Sequence, residues 1–272
     1  MGYLTTDKKK ITAKTFLEMK RAGEKITMLT AYDYTTAGII DAAGIDGILI
    51  GDSASNVMAG NANTLPITVD QMIYHARSVA RACCHCLVIC DMPLGSYQVS
   101  REEGIRNAIR IIKESGVDAV KMEGGQEIVD TVKGIIDAGI PVMGHLGLTP
   151  QSINMFGGYG LRAKEEAEAE KLLADARALD AAGVFGITLE KVPASLAKEV
   201  TEEVRAATIG IGGGNGTDGQ VLVYADALGM TQGFKPKFLR HFADMNKCMT
   251  DGVKEYIKCV KDGSFPSESE SY

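Results

Sequence analysis

The chain has 272 residues, of which 45% are hydrophobic and 24% charged, and a formal net charge of −6. That is the composition of an ordinary globular protein and not of a disordered, fibrous or membrane-spanning one. The acidic balance, with no long run of Lys or Arg, argues against nucleic acid as a partner.

The N-terminal stretch lacks the apolar core of a secretory signal, and no uncharged apolar segment reaches about 18 residues. A cytoplasmic protein without membrane association is expected. An amphipathic helix near residues 13–22 comes first, suited to covering one end of the structure that follows. Short apolar runs of strand length then recur: ITMLTAYD from Ile26, DGILIGD from Asp46, CLVICDMP from Cys86, AVKMEGG from Ala119, IPVMGHLG from Ile140, VFGITLE from Val184, ATIGIGGG from Ala207 and, less regularly, QVLVYADALG from Gln220. Segments of helical period lie between them. In residues 100–116, Ser100 and Glu103 read as a capping box, Ile105, Ala108, Ile109 and Ile112 as the apolar stripe, and Gly116 as the stop. Residues 126–139 end at Gly139 before Pro141. Residues 163–183 carry Leu172, Leu173, Ala176 and Leu179 on one face and stop at Gly183. The tail GSFPSESESY, about residues 263–272, is polar and expected to fray. No linker composition interrupts the order, so residues 1–272 read as one domain.

The runs are nearly continuously apolar, as strands buried on both faces require, which points to a parallel sheet covered by helices. Successive strand ends are spaced by about 32 residues, the spacing obtained when ~250 residues serve eight units. The expected fold is a single (β/α)₈ TIM barrel with an extra N-terminal helix.

Nearly every run ends in a residue suited to catalysis: Asp33, Asp52 with Ser53, Asp91, Lys121 with Glu123, His145 and Glu190. In a barrel these ends share one rim, the C-terminal face on which such enzymes build their active sites. Taken singly, each acid reads more simply as a loop or helix cap; five in register do not. Asp52, Asp91 and Glu123 from adjacent strands would gather oxygen donors round a hard cation, and Mg²⁺ suits that donor set. Lys121 lies on the same strand face as Glu123, placed to neutralise a substrate carboxylate or to pair with the acids.

Other features carry less. Of six cysteines, Cys83, Cys84, Cys86 and Cys90 crowd one segment around His85. Paired C-x₂-C knuckles are missing and residues 86–90 enter a buried strand, so packed, reduced thiols are expected in place of zinc. The glycines of residues 209–219 fit neither dinucleotide nor P-loop spacing and read as a tight turn whose amides could meet an anion. No nucleophile elbow is present. His75, His85 and His241 read as packed or solvated.

With these motifs in order, TAYDY at 30–34, GDS at 51–53, TLPIT at 64–68, DMP at 91–93, KMEGG at 121–125, GHLGLTPQSINMFGGY at 144–159, LE at 189–190, IGIGGGNGTDGQVLV at 209–223 and PKF at 236–238, the sequence resembles the ketopantoate hydroxymethyltransferase family over almost its whole length. The resemblance implies a barrel of the phosphoenolpyruvate/pyruvate type and a homo-oligomer, typically a decamer. It implies Mg²⁺ at Asp52, Asp91 and Glu123, a 2-oxo acid held by Asp52, Ser53, Asp91 and Lys121, and Glu190 as general base, with 5,10-methylenetetrahydrofolate as one-carbon donor in pantothenate synthesis. His145 would be an additional rim residue. The sequence departs from the family pattern in the loop Ala54 to Thr64, at Lys191 where cysteine is common, and at Ala225 where histidine is frequent. A metal-dependent carbon–carbon lyase or mutase of the same superfamily is the alternative activity, although its Lys-Lys-Cys-Gly-His loop is absent. A catalytically silent barrel serving binding or assembly is the alternative outside enzymes.

Overall fold

The computed structural model describes residues 10–233 and 235–272. Eight strands, β1 (Ile26–Thr30), β2 (Gly47–Ile50), β3 (Leu87–Asp91), β4 (Ala119–Glu123), β5 (Val142–Gly147), β6 (Gly186–Glu190), β7 (Ala207–Ile211) and β8 (Gly219–Leu222), close into a barrel in sequence order. Every neighbouring pair is parallel, including the closing pair of β1 with β8. β2, β3 and β4 are buried at every position, which is why their runs lack the alternation of a half-exposed strand.

The expected N-terminal helix spans Ala13–Ala22 and covers the barrel floor. Phe16 is fully buried in the floor cluster with Met28, Ile89, Met143, Phe185 and Ile209, and its ring meets Phe185 edge-on at 6.0 Å. Lys20 fixes the helix from outside, its Nζ donating to Thr201 O at 2.9 Å and to Asp218 Oδ2 at 2.8 Å.

Two sequence expectations shift. Helix Arg101–Ser115 is capped by Ser100, whose Oγ accepts from Glu103 N, but its buried face is Gly104, Ala108, Ile111 and Ser115, with Ile109 exposed. The stripe is turned because Gly104 lets the backbone approach Thr131 so closely that a Cβ there would overlap its methyl group. The strand–helix alternation also breaks once: among the described residues, no helix lies between β7 and β8, and residues 212–218 cross directly. Gly212 and Gly214 make that short crossing feasible by adopting φ of +71° and +77°.

The barrel belongs to a compact unit that ends at Val223, and a second begins at Tyr224. The reading of one domain over 1–272 did not include that division. The eighth apolar run stops as strand at Leu222, and Tyr224–Ala227 is helical. The second unit also contains helix Met245–Asp262, which has no buried residue, and a 3₁₀ turn at Glu268–Glu270 within the expected polar tail. No helix among the described residues is long and apolar enough to cross a membrane.

Closure of the barrel depends on a glycine. Gly219 lies opposite Ile26 in the β8–β1 seam, and a Cβ there would overlap the Ile26 carbonyl oxygen and crowd its side chain. Gly219→Ala is expected to cost about 1–3 kcal/mol through overpacking. The check is urea unfolding, with a lowered midpoint and an unchanged slope.

Candidate active site

The residues singled out at the strand ends meet on one rim. After β2 the chain turns through Gly51, where the Cβ of any other residue would lie 2.5 Å from Ser53 Oγ and collide with it. This tight turn brings the Asp52 amide to Asp91 Oδ2 at 3.0 Å. Asp91 and Lys121 are register partners across β3 and β4, and Lys121 Nζ sits 2.7 Å from Asp91 Oδ1. Two residues further along β4, Glu123 faces His145 across the β4–β5 register. Glu123 Oε1 is 3.1 Å from His145 Nδ1, and Lys121 Nζ reaches the same nitrogen at 3.2 Å. On its other side the imidazole points Nε2 at Glu190 Oε2, 3.4 Å away.

Asp52, Asp91, Lys121, Glu123 and His145 are all buried, whereas the Glu190 side chain keeps 17% of its surface. Ser53 lies beside Asp52 with its Oγ 2.7 Å from Tyr32 OH. Asp33, the remaining acid of the row, caps helix Tyr34–Ala42 through Thr36 N and takes the simple role.

Three residues that sequence reasoning did not single out hold the rim together. Gln151 follows β5 within the GHLGLTPQS stretch. Its Nε2 donates to Asp52 Oδ2 at 3.0 Å and to Met92 O at 2.9 Å, while its backbone N–H donates to Glu123 Oε2 at 2.9 Å. Tyr97 OH donates to Gln151 Oε1 at 2.8 Å and accepts from Glu123 N at 3.0 Å. Tyr32 supports Ser53. Pro150 beginning a 3₁₀ turn was the one local signal for Gln151; nothing local marked Tyr97.

Three buried carboxylates face one buried ammonium. Burial, and then the charges of Glu123 and Asp91, drive the Asp52 carboxyl well above the usual range. Burial also pushes Glu123 up to about 7; Asp91 adds to that rise, and Lys121 and the Gln151 amide oppose it. Burial alone would lower Lys121, but Asp91, Glu123 and Asp52 outweigh it and hold the ammonium charged. His145 is lowered by burial and then by Lys121, so its imidazole is neutral near pH 7.

The raised Glu123 value sets a pH dependence for the metal-free protein. The folded state binds the Glu123 proton more tightly than the unfolded chain does, so its stabilising contribution is complete below the unfolded value near 4.5 and is lost as pH rises through about 7. Glu123→Gln should flatten that segment of the stability–pH curve. Thermal unfolding from pH 5 to 8 in the presence of a chelator measures it; equal slopes for both proteins would refute the assignment.

Asp52, Asp91 and Glu123 do not draw together as a closed trio. Among the described residues, the one group of three whose ligand atoms all lie within 4.8 Å of one another is Asp41, Cys83 and Cys86. The loop from Ala54 to Thr64 is ordered by its own polar groups: Ser55 Oγ donates to Asn63 O at 2.8 Å, and Asn56 Nδ2 donates to Asn61 O at 2.8 Å. Lys191, directly after Glu190, has φ of +46° and its Nζ donates to Tyr159 O.

Comparison with known proteins adds an independent finding. Residues 10–268 match the family model described as ketopantoate hydroxymethyltransferase. The chain is 59% identical over 271 residues to a 3-methyl-2-oxobutanoate hydroxymethyltransferase of Bacteroides fragilis, covering 100% of this chain and 99% of that one. It is 60% identical over 272 residues to the protein of the same name from Christiangramia forsetii, with both chains fully covered. Among solved structures, a phosphoenolpyruvate phosphomutase from Streptomyces platensis superposes with a TM-score of 0.62 at 13% identity, covering 93% of this chain and 88% of that one. A 2,3-dimethylmalate lyase, a member of the PEP mutase/isocitrate lyase superfamily, does so with a TM-score of 0.58 at 15% identity, covering 96% and 91%. At such identities these two structures speak for the barrel alone.

Proposed function

The chain belongs to the ketopantoate hydroxymethyltransferase family, and on that premise we propose that it makes 2-dehydropantoate from 3-methyl-2-oxobutanoate and 5,10-methylenetetrahydrofolate, in pantothenate biosynthesis. The observation that carries the reading is the unbroken row from Asp52 through Asp91, Lys121, Glu123 and His145 to Glu190, sealed from solvent except at Glu190.

The donor set fits a hard divalent cation. Its atoms are all carboxylate oxygens, they are buried, and with all three ionised their charge would exceed what Lys121 balances. Asp52, Asp91 and Glu123 would hold Mg²⁺, an ion that accepts few protein ligands and keeps waters, so a closed trio is not required. When bound, the ion supplies Lewis-acid stabilisation of negative charge developing on the keto oxygen.

The chain's own residues then divide the work. Lys121 and Ser53, beside Asp52 and Asp91, orient the 2-oxo acid, with the ammonium facing its carboxylate. Glu190, the one acid of the row with exposed surface, takes the proton from C3. Neutral His145, with Nε2 3.4 Å from Glu190 Oε2 and Nδ1 3.2 Å from Lys121 Nζ, stands between the base and the ammonium and positions the base. C3 forms the new carbon–carbon bond to the one-carbon unit; one water is consumed and tetrahydrofolate leaves. Family membership also supports a cytoplasmic homo-oligomer, a decamer, which sedimentation equilibrium tests.

The deciding assay incubates the protein with the 2-oxo acid and with or without the folate donor, in Mg²⁺ or after chelation. Product is expected with both donor and ion present. Cleavage or rearrangement of a 2-oxo acid without the donor would establish a lyase or mutase instead, and absence of turnover would leave a silent barrel.

A further inference from the structure

At the barrel face opposite the acid rim, the fold brings a partner to the crowded cysteines that the linear sequence does not reveal. Asp41 lies in the last turn of helix Tyr34–Ala42, and its carboxylate accepts from the backbone N–H of Cys84 at 2.9 Å, of Cys86 at 2.8 Å and of His85 at 3.2 Å. Those bonds fix the turn that enters β3, and they leave Cys83 Sγ, Cys86 Sγ and an Asp41 oxygen all within 4.8 Å of one another. Both thiols are buried and Asp41 is half-buried, so the cluster opens to solvent on its carboxylate side. Between the two cysteines stands His85, whose Nδ1 is buried without a hydrogen-bond partner among the described residues.

We propose that Cys83 Sγ, Cys86 Sγ and the Asp41 carboxylate form a second cation site, selective for Zn²⁺, that joins the end of helix Tyr34–Ala42 to the start of β3. The Cys-x₂-Cys spacing supplies two thiolates from one turn, and sulfur donors select zinc over the hard cation suited to the oxygen-only rim. The backbone bonds to Asp41 act as the outer shell that orients a ligating carboxylate. A water fills the fourth position. Metal-free, the Cys86 thiol stays protonated, because its hydrogen bond with Cys83 and its burial both push it up. The ion sits at the face of the barrel associated with stability, at the opposite end of β3 from Asp91.

The test titrates the full, reduced chain with Co²⁺ as a spectroscopic probe for the Zn²⁺ site. Thiolate-to-cobalt absorption should saturate near one equivalent per chain, vanish on adding Zn²⁺ and survive a large excess of Mg²⁺. It should be lost in Cys83→Ser and Cys86→Ser, kept in Cys84→Ser, and need at least tenfold more metal in Asp41→Asn. Because serine at a buried thiol can impair folding, alkylation footprinting of the unmutated chain is the companion measurement. Zn²⁺ should protect Cys83 and Cys86 of the six cysteines. Absence of the absorption band, protection of other cysteines, or a Cys83–Cys86 disulfide whose reduction restores no metal uptake would each overturn the proposal.

Discussion

Glu190→Gln should abolish most proton abstraction while leaving the 2-oxo acid bound. Incubated with 3-methyl-2-oxobutanoate and Mg²⁺ in D₂O without the folate donor, the unmutated protein is expected to exchange deuterium into C3, and the variant to do so about 10²–10⁴-fold more slowly. The amide keeps the size of the side chain and can still meet His145 Nε2, so substrate KM should change little while kcat falls. That split separates loss of a base from loss of a binding group. Full exchange in the variant would remove Glu190 from the role and turn attention to Glu123, the acid whose carboxyl is pushed up to about 7.

How much of this was legible beforehand follows from which interactions are local. The barrel strands stand out because burial on both faces writes an uninterrupted apolar run, and the catalytic row stands out because six of the eight runs end in an ionisable residue. Interactions between distant segments left no such trace. Gln151 joins Asp52 to Glu123 from a turn after β5, so its role exists only once three strands are side by side. Asp41 looks like an ordinary helix residue until the turn at Cys84 to Cys86 folds onto it. The buried face of helix Arg101–Ser115 was misplaced because close approach through Gly104 favours small residues that an apolar count overlooks. Helix Met245–Asp262 did carry a local signal, in Met249, Val253, Tyr256 and Val260 at helical spacing, but the intervening lysines and acids diluted it.

The row is also a problem in electrostatics, and Lys121 is where it is solved within the chain. Replacing it with methionine keeps the stem packed but leaves Asp91 and its neighbours without a counter-charge in a buried site. Removing one partner of a buried pair generally costs about 3–5 kcal/mol, and Lys121→Met should lose about that much in denaturant unfolding at pH 8. The loss should shrink toward pH 5, where Glu123, pushed up to about 7, carries a proton and no longer needs the ammonium. Mg²⁺ should recover part of the stability at pH 8, because a dication on the same oxygens supplies the missing charge, yet activity should stay low because substrate orientation still lacks Lys121. Adding Asp91→Asn tests the pairing directly: the double variant should be more stable than Lys121→Met alone, since it removes the stranded charge. A Lys121→Met penalty that is the same at both pH values would mean that its origin is packing, and the carboxylates would then be neutralised by some other means.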